Sequence, residues 1–465
     1  ANDTNFDALP KSFTIDAAVQ LVDAKMSESS NSVFLYWCTN PDKPEQTKIT
    51  EIAQGTNASV TLYAHCITTQ ILDLAHLEAL RDAVNAGYSM EGETFHLVNP
   101  ITLPNDWKSI GHNYTDTTGT AFEGTFDGGS TGQDGNVAIT YPVCGNNTME
   151  NVQPLFGVNA GTVQNLVVKL QKTANNWNTD MPFGMVAQAN ATGGKITNCK
   201  VIAAADVTKV GVSKWTRTIG AVAGPIGGIV GVNEGTITDC SVGDETVAIK
   251  IRGNRSTESV GGIAAVNNGT ISLANSYINV IFDGEATYAG GLVGNNTGKV
   301  TLGANVELKE NENSTDGSFT YYGGLVGMST ENITLNEIPT MNVHASNSPT
   351  NQDMQYFSGG LVGKLENCSL TVNPDAQAKE LPVELYQDSD NPQKNTLYSG
   401  GLVGQAVNAT VDGGGKLTIK GVTDIRRNNI CSQTYAGALA GQSDTASTFK
   451  NITLVDVRVI CDETK

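Results

Sequence analysis

The sequence predicts an all-β parallel solenoid, a β-helix of nine or more coils, and three observations carry that prediction. A short glycine motif recurs through the chain, strand-length runs rich in Val, Ile and Thr separate its copies, and the composition is glycine-rich and charge-poor. The motif reads GGIVG from Gly227, GGIAA from Gly261, and GGLVG from Gly290, Gly323, Gly359 and Gly400, then degenerates to GALAG from Gly437. Weaker copies, QPLFG ending at Gly157 and FGMVA starting at Phe183, extend it upstream to nine. Steps of 29 to 44 residues separate the copies, averaging about 36. A period in this range marks stacked units, none of which buries its apolar face alone. Propeller blades repeat near 50 residues at nearly constant length, whereas a coil lengthens its loops without disturbing its neighbours. Nine coils stacked about 4.8 Å apart give a rod roughly 45 Å long.

Composition agrees. Glycine makes up 50 of 465 residues and charged residues only 16%, which favours turns over surface helices. At 39% hydrophobic the chain can build a large core, and at 6% aromatic that core is mainly aliphatic.

Taken in order, residues 1–69 are expected to form a small β-rich module and residues 70–465 the solenoid. The one amphipathic helix spans about residues 73–87. Leu74, Leu77, Leu80 and Val84 recur at helical spacing, Asp73 can cap the start and Gly87 can end it. Its place is over the open first coil, whose strand edges and core would otherwise face water. Polar residues near Ser443–Lys450 and a final strand through Val459 are expected to close the other end.

Within the coils, Val-Asn-x-Gly-Thr stretches starting at Val158, Val232 and Val266 assign Asn and Gly to a positive-φ turn. Runs such as Leu166–Leu170, Val247–Ile251, Ser276–Phe282 and Ile452–Val459 read as strands, two or three per repeat. Tyr288, Tyr321, Phe357, Tyr398 and Tyr435 stand three residues before the aligned glycine in five successive coils. In an extended segment Tyr288 shares a face with Leu292, which places the column in the core; the alternative is an exposed stripe on which sugar rings stack. Cys199 and Cys240 occupy matching places in KITNCKV and TITDCSV, where related segments have Leu166 and Ala274, so they read as small buried residues. Cys38 with Cys66 is the candidate disulfide, the alternative being two buried thiols.

The net charge of −19, with no basic cluster, disfavours nucleic acid and anionic membranes as partners. The most apolar window, Ile219–Val232, is broken by glycine and proline and is too short to span a bilayer as a helix. Residues Ala1–Ala8 show neither the basic start nor the apolar run of a signal peptide, which leaves open a cytoplasmic chain or one whose export signal has been removed.

The stretch HLEALRDAVNAGYSMEGETFHLVNPITLPNDWKSIG, His76–Gly111, followed by FEGTFDGG from Phe122, resembles the opening of bacterial surface proteins with GLUG repeats. The YxGGLVG and N-x-G-T-I-x-x-C copies are similar to the repeat itself, so the resemblance covers about residues 70–460. It departs from the usual opening at GSTGQDGNVAITY, Gly129–Tyr141. Such repeats occur in secreted and surface proteins of Bacteroides-like bacteria described as adhesins, and in non-catalytic parts of IgA-cleaving zinc metallopeptidases. Tyr36–Cys66 resembles the latter half of a Listeria-Bacteroides repeat, a β-rich module of bacterial surface proteins, without its glycine-rich first strand. Both resemblances imply export to the cell surface or outer membrane, with no signal or lipid anchor in this chain.

Chemistry is thin. His65, His76, His96, His112 and His344 are scattered and no HExxH occurs, so the zinc peptidase activity found beside this repeat elsewhere has no metal site here. No GxSxG, P-loop or Rossmann glycine pattern occurs. Acidic candidates for glycan cleavage are Asp106, Asp116 and Asp127 in the first coils and Asp388, Asp390 and Asp412 further on; a hydrolase needs two carboxyls about 5 to 9.5 Å apart. The loop Asp127–Asn136 offers oxygen ligands for Ca²⁺ without EF-hand spacing and reads as a turn. Sequons at Asn190, Asn268, Asn332, Asn408 and Asn451 read as chance products of Asn- and Thr-rich turns.

The sequence therefore leads to an exported, adhesin-like, monomeric surface protein without catalytic residues, metal or cofactor, binding a host glycan or extracellular protein. Long loops on a rigid scaffold carry recognition, so the insertions Ala203–Pro225, Asn342–Phe357 and Asn373–Leu397 are the expected ligand-binding surface. The rivals are a polysaccharide-degrading β-helix enzyme and a passive stalk.

Overall fold

The computed structural model describes residues 11–116, 119–129, 137–142, 153–170, 181–204, 217–222, 224–253, 256–310, 318–346, 354–387, 396–428 and 433–464. Among them the chain winds as a parallel β-helix. A nine-stranded sheet holds one strand from each glycine copy, from Phe156–Asn159 to Ala440–Ser443, each pairing in parallel with the next coil. A seven-stranded sheet runs beside it from Ile226–Gly227 to Gln433–Gly437, and a 23-stranded sheet completes the wall. A full coil contributes four strands rather than the two or three read from the repeats, as in Ser318–Gly323, Val326–Ser329, Ile333–Leu335 and Thr340–Ser346. The segment Gly129–Tyr141, where the resemblance falters, rejoins the stack through Ile139–Tyr141, paired with Ile101–Thr102 and Val168–Leu170.

Antiparallel pairs occur, among the described residues, only between Val19 and Thr68, where Ser32–Cys38 lies beside Tyr63–Thr68. This small sheet is not a separate globule, because Val33 and Ile67 enter the same core as the solenoid. The helix follows as Leu74–Asn85. Asp73 caps it by accepting from the His76 backbone N–H at 3.0 Å, and Gly87 leaves it with φ +94. Leu77, Leu80 and Val84 are fully buried against a core that includes Phe95, Trp107 and Phe126. Asn85 fixes the docking by donating to the Ser109 carbonyl and accepting from the Gly111 N–H. The opposite end is closed less completely than expected. Thr448–Thr464 pairs with the long strand Thr410–Asn428, yet Leu454 and Val459 stay 46% and 43% exposed.

Two ladders of polar side chains hold successive coils in register. The asparagine of each Val-Asn-x-Gly stretch is not in a positive-φ turn; it is extended, fully buried and bonded along the rod axis. Asn159, Asn190, Asn233 and Asn267 each donate Nδ2 to the Oδ1 of the next asparagine in the run, ending at Asn296, at 2.8, 2.9, 2.7 and 2.7 Å. Asn296 ends the run on Ser329 Oγ at 2.8 Å. The positive φ falls instead on a second, solvent-side column: Asn165, Asn198, Asp239, Asn275, Asn305, Asn367, Asn408 and Asn451, all between 48 and 58°. Short amide side chains tolerate this left-handed geometry and can bond locally. Asn198 donates to Asn165, Asn305 to Asn275 and Asn408 to Asn367, each within 3.0 Å. The glycine of the same stretch answers a packing demand, since a Cβ on Gly235 would sit 2.3 Å from the Gly194 carbonyl oxygen of the previous coil.

Register also places the cysteines. Cys199 and Cys240 are fully buried in neighbouring coils, as expected, and their thiols point to backbone carbonyls of the coil before. Because Val242 pairs with Ile278, the residue in step with Cys240 is Ser276, not Ala274. Cys38 faces Tyr63 and Cys66 faces Phe34 across the antiparallel pair, so the candidate bridge does not form and the alternative of two thiols holds.

Candidate functional site

None of the five aromatics joins the main apolar cluster, against the sequence expectation, although Phe357 and Tyr398 are buried. The chain does not stay extended from Tyr288 to Leu292: it turns at Gly290–Gly291, where one strand ends and the next begins at Val293. Across that corner the face logic of a single strand no longer applies. Ala289 and Tyr322 therefore enter the core, while their neighbours Tyr288 and Tyr321 stand on the opposite face.

Strand register keeps the five rings in line, Tyr288 to Tyr321, Phe357, Tyr398 and Tyr435. Centroids are 5.6, 5.1, 4.7 and 4.9 Å apart, with interplanar angles of 18, 9, 7 and 8°. Phe357 and Tyr398 are buried by their neighbours, Tyr288 and Tyr321 are half-buried, and Tyr435 is 44% exposed. Lys364 lies 5.7 Å from the Tyr321 ring and pairs with Glu366 at 3.0 Å. Burial raises the phenol pKa of Tyr288, Tyr321 and Tyr398, so each keeps its proton at neutral pH. A stack this tight shows ring edges and hydroxyls sideways; its ring faces are used on one another.

Two of the three insertions expected to bind ligand, Asn342–Phe357 and Asn373–Leu397, are flanked by strands of this ladder, whereas Ala203–Pro225 leads to Ile226–Gly227, two coils before Tyr288. In successive coils the chain leaves the 23-stranded sheet and enters the aromatic strand at one corner. Val306–Glu310 leads to Ser318–Gly323, Thr340–Ser346 to Gln355–Gly359, and Lys379–Gln387 to Thr396–Gly400. Residues 205–216 and 223, 347–353 and 388–395 of the three insertions lie outside the described residues. The rest is largely strand rather than loop: Arg217–Val222 pairs with Ile249–Gly253, and Lys379–Gln387 with Leu417–Ile425.

A different side of the first coils carries a strap. His112 and Tyr114 cross outside the nine-stranded sheet; the Val158 N–H donates to the His112 carbonyl and the Tyr114 N–H to Gln188 Oε1. Beneath it Val158, Ala189 and Val232 form a small apolar cluster. Further along the same column stand Asn295, Met328, Lys364 and Gln405, so the sequence turns polar in the later coils.

Among the described residues the acidic candidates do not show the paired arrangement of a glycosidase. Asp106 and Asp116 are exposed, and Asp388 and Asp390 lie outside the described residues. Asp127 and Asp412 repeat one arrangement in distant coils. Each Oδ1 accepts the N–H of the glycine two residues on, Gly129 or Gly414, at 3.0 Å, and the amide of an asparagine one coil later, Asn165 or Asn451. Partial burial pushes the Asp127 carboxyl up, but hydrogen bonds from Gly129, Asn165 and Gln164 outweigh it and hold the group below its ordinary range. The Asn451 amide, the Gly414 N–H and Lys450 hold Asp412 low as well. A general acid needs the opposite shift. The Asp127 turn is the described part of the proposed Ca²⁺ loop; residues 130–136 lie outside it. No group of three or more metal-ligating side chains occurs among the described residues.

All five sequon asparagines bond from coil to coil. Asn190 is a buried rung; Asn408 and Asn451 belong to the left-handed column; Asn268 accepts from Thr297 Oγ1 and Asn332 from Ser369 Oγ. His65 stacks on Tyr36, His76 sits at the helix start, His112 bonds the Asn113 carbonyl and His96 lies exposed on the first coil. The side chain of His344 is outside the described residues. Among the described residues no helix is long and apolar enough to cross a membrane. No family model matches the chain, and no curated protein matches it.

Proposed function

We propose that this chain is a non-catalytic binding rod, adhesin-like and exported to the cell surface, which takes its ligand along the side where two of the insertions meet the aromatic ladder. One observation carries the reading. The strands that flank two of the insertions, Thr340–Ser346 with Gln355–Gly359 and Lys379–Gln387 with Thr396–Gly400, meet at the same corner of successive coils, and the second strand of each pair carries a ring of the stack. A rigid repeat with variable segments on one side suits recognition, because the scaffold fixes what the segments display. The resemblance to GLUG-repeat surface proteins supports export and adhesion, with a host glycan or extracellular protein as ligand. The proton-poor, fully bonded state of Asp127 and Asp412 favours binding over glycan cleavage.

The test is an array of glycans and matrix proteins probed with the purified chain and with three deletions, 205–216, 347–353 and 388–395. At least one deletion is expected to abolish a binding signal while leaving the melting temperature unchanged. Binding retained by all three overturns the site, an empty array leaves a passive stalk, and turnover of any glycan overturns the non-catalytic reading.

A further inference from the structure

A groove of about 680 Å³ opens where the N-terminal sheet meets the first coil, at the far end of the rod from the last insertions. We infer that it is a second binding site, built for a short neutral saccharide. One wall is the segment Asp23–Ser27 with Asn31–Phe34; the other is the outer face of the first coil, Thr69–Gln70 and Glu93, Thr94 and His96.

The argument starts from columns of the solenoid. Gln70 pairs with His96, His96 with Asp127 and Asp127 with Gln164, so these four side chains share one outer column; Thr94 leads the column of Thr125 and Thr162. One coil in, that face is saturated, because Asp127 takes bonds from Gln164 and Asn165. In the first coil it is not. Gln70, Glu93 and Thr94 are half-buried, yet among the described residues their side chains make no hydrogen bond or ion pair, and neither does the amide of Asn31. Backbone bonds lock the platform beneath them: the Thr69 N–H donates to the Asn31 carbonyl at 2.9 Å and the His96 N–H to the Thr69 carbonyl at 2.8 Å.

The chemistry of the walls selects the ligand. Asp23 and Glu93 are acidic while Lys25 and His96 are basic, so there is no excess of cation to hold a phosphate or sulfate. Val33, Phe34 and Met26 supply an apolar patch too small for a lipid among so many polar groups. Amides, hydroxyls and a carboxylate beside one aromatic ring suit a polyhydroxylated ring, whose hydroxyls donate and accept while its C–H face packs on Phe34. The volume lies within the range of small-molecule sites, which favour junctions between domains.

The experiment titrates the full chain with lactose, maltotriose, N,N′-diacetylchitobiose, inorganic phosphate and an extended neutral peptide, read by calorimetry and by ligand-detected NMR. At least one saccharide is expected to bind at millimolar concentration. Glu93→Gln and Gln70→Ala should each weaken it roughly tenfold with unchanged melting temperature, as loss of a hydrogen bond to a charged or amide group predicts. The 388–395 deletion should leave it intact, which separates this site from the lateral one. The inference is overturned if no saccharide binds, if binding survives both substitutions, or if phosphate or the peptide binds in their place.

Discussion

Two corners of the same coil solve opposite problems. At the asparagine corner every amide is buried and, from Asn190 to Asn296, bonded to the coils on both sides, so the corner is nearly identical along the rod; only Asn159, the first rung, has an Oδ1 with no partner. At the aromatic corner the side chains also stack from coil to coil, but on the outer wall and next to insertions that vary. Stacking of flat rings constrains only a column, whereas a hydrogen-bonded amide ladder constrains its donors, acceptors and neighbours at once. The first corner therefore sets the register of the rod, and the second can change what it displays without unwinding it.

The sharpest way to break this comparison is to force the two sheets apart. A Cβ at Gly363 would lie 2.4 Å from the Gly327 carbonyl oxygen and 2.7 Å from the Tyr322 backbone nitrogen. Gly363→Val should cost more than about 4 kcal/mol and sharply reduce soluble protein, as measured by urea unfolding. Next comes Asn233→Leu, which leaves the Asn267 Oδ1 without its donor in the core and takes one of three acceptors from the Asn190 amide. One orphaned acceptor and one weakened donor predict a loss of about 2 to 3 kcal/mol, checked by the same titration. Tyr321→Ala removes two stacked contacts on a half-exposed face and should cost about 1 to 3 kcal/mol, with a larger change in near-ultraviolet circular dichroism than in stability. If Tyr321→Ala proves costlier than Asn233→Leu, the ranking of the corners is reversed.

The smallest effect is one of pH. Asp127 and Asp412 have carboxyl pKa values lowered in the folded chain, so their contribution is present above the unfolded value near 3.9 and is lost as pH falls through the folded values. Acid unfolding monitored by circular dichroism should begin at higher pH in the wild type than expected from an Asp127→Asn, Asp412→Asn double variant normalised to its own neutral stability.

Much of the scaffold was readable in the residues. The glycine copies mark the nine strands of one sheet, and Asp73, Leu77, Leu80, Val84 and Gly87 mark the helix, because both depend on local spacing. Whatever depended on a corner was not. Treating Tyr288–Leu292 as one strand put the aromatics inside, since nothing in a period-two pattern announces a turn at a double glycine. The asparagines of Val-Asn-x-Gly were read as turn residues because their partners lie 29 to 43 residues away in sequence. A column of asparagines in phase with the repeat was the available signal. The groove at the first coil left no motif, because its walls come from three separated stretches.

The coil-on-coil pairing has a mechanical consequence. Its hydrogen bonds point along the rod, so a pull on the two ends loads them one coil at a time rather than all together in shear. Under tension such a tether would lengthen in discrete steps, each releasing about 36 residues or roughly 120 Å of chain, and would yield gradually where a sheared sheet would snap.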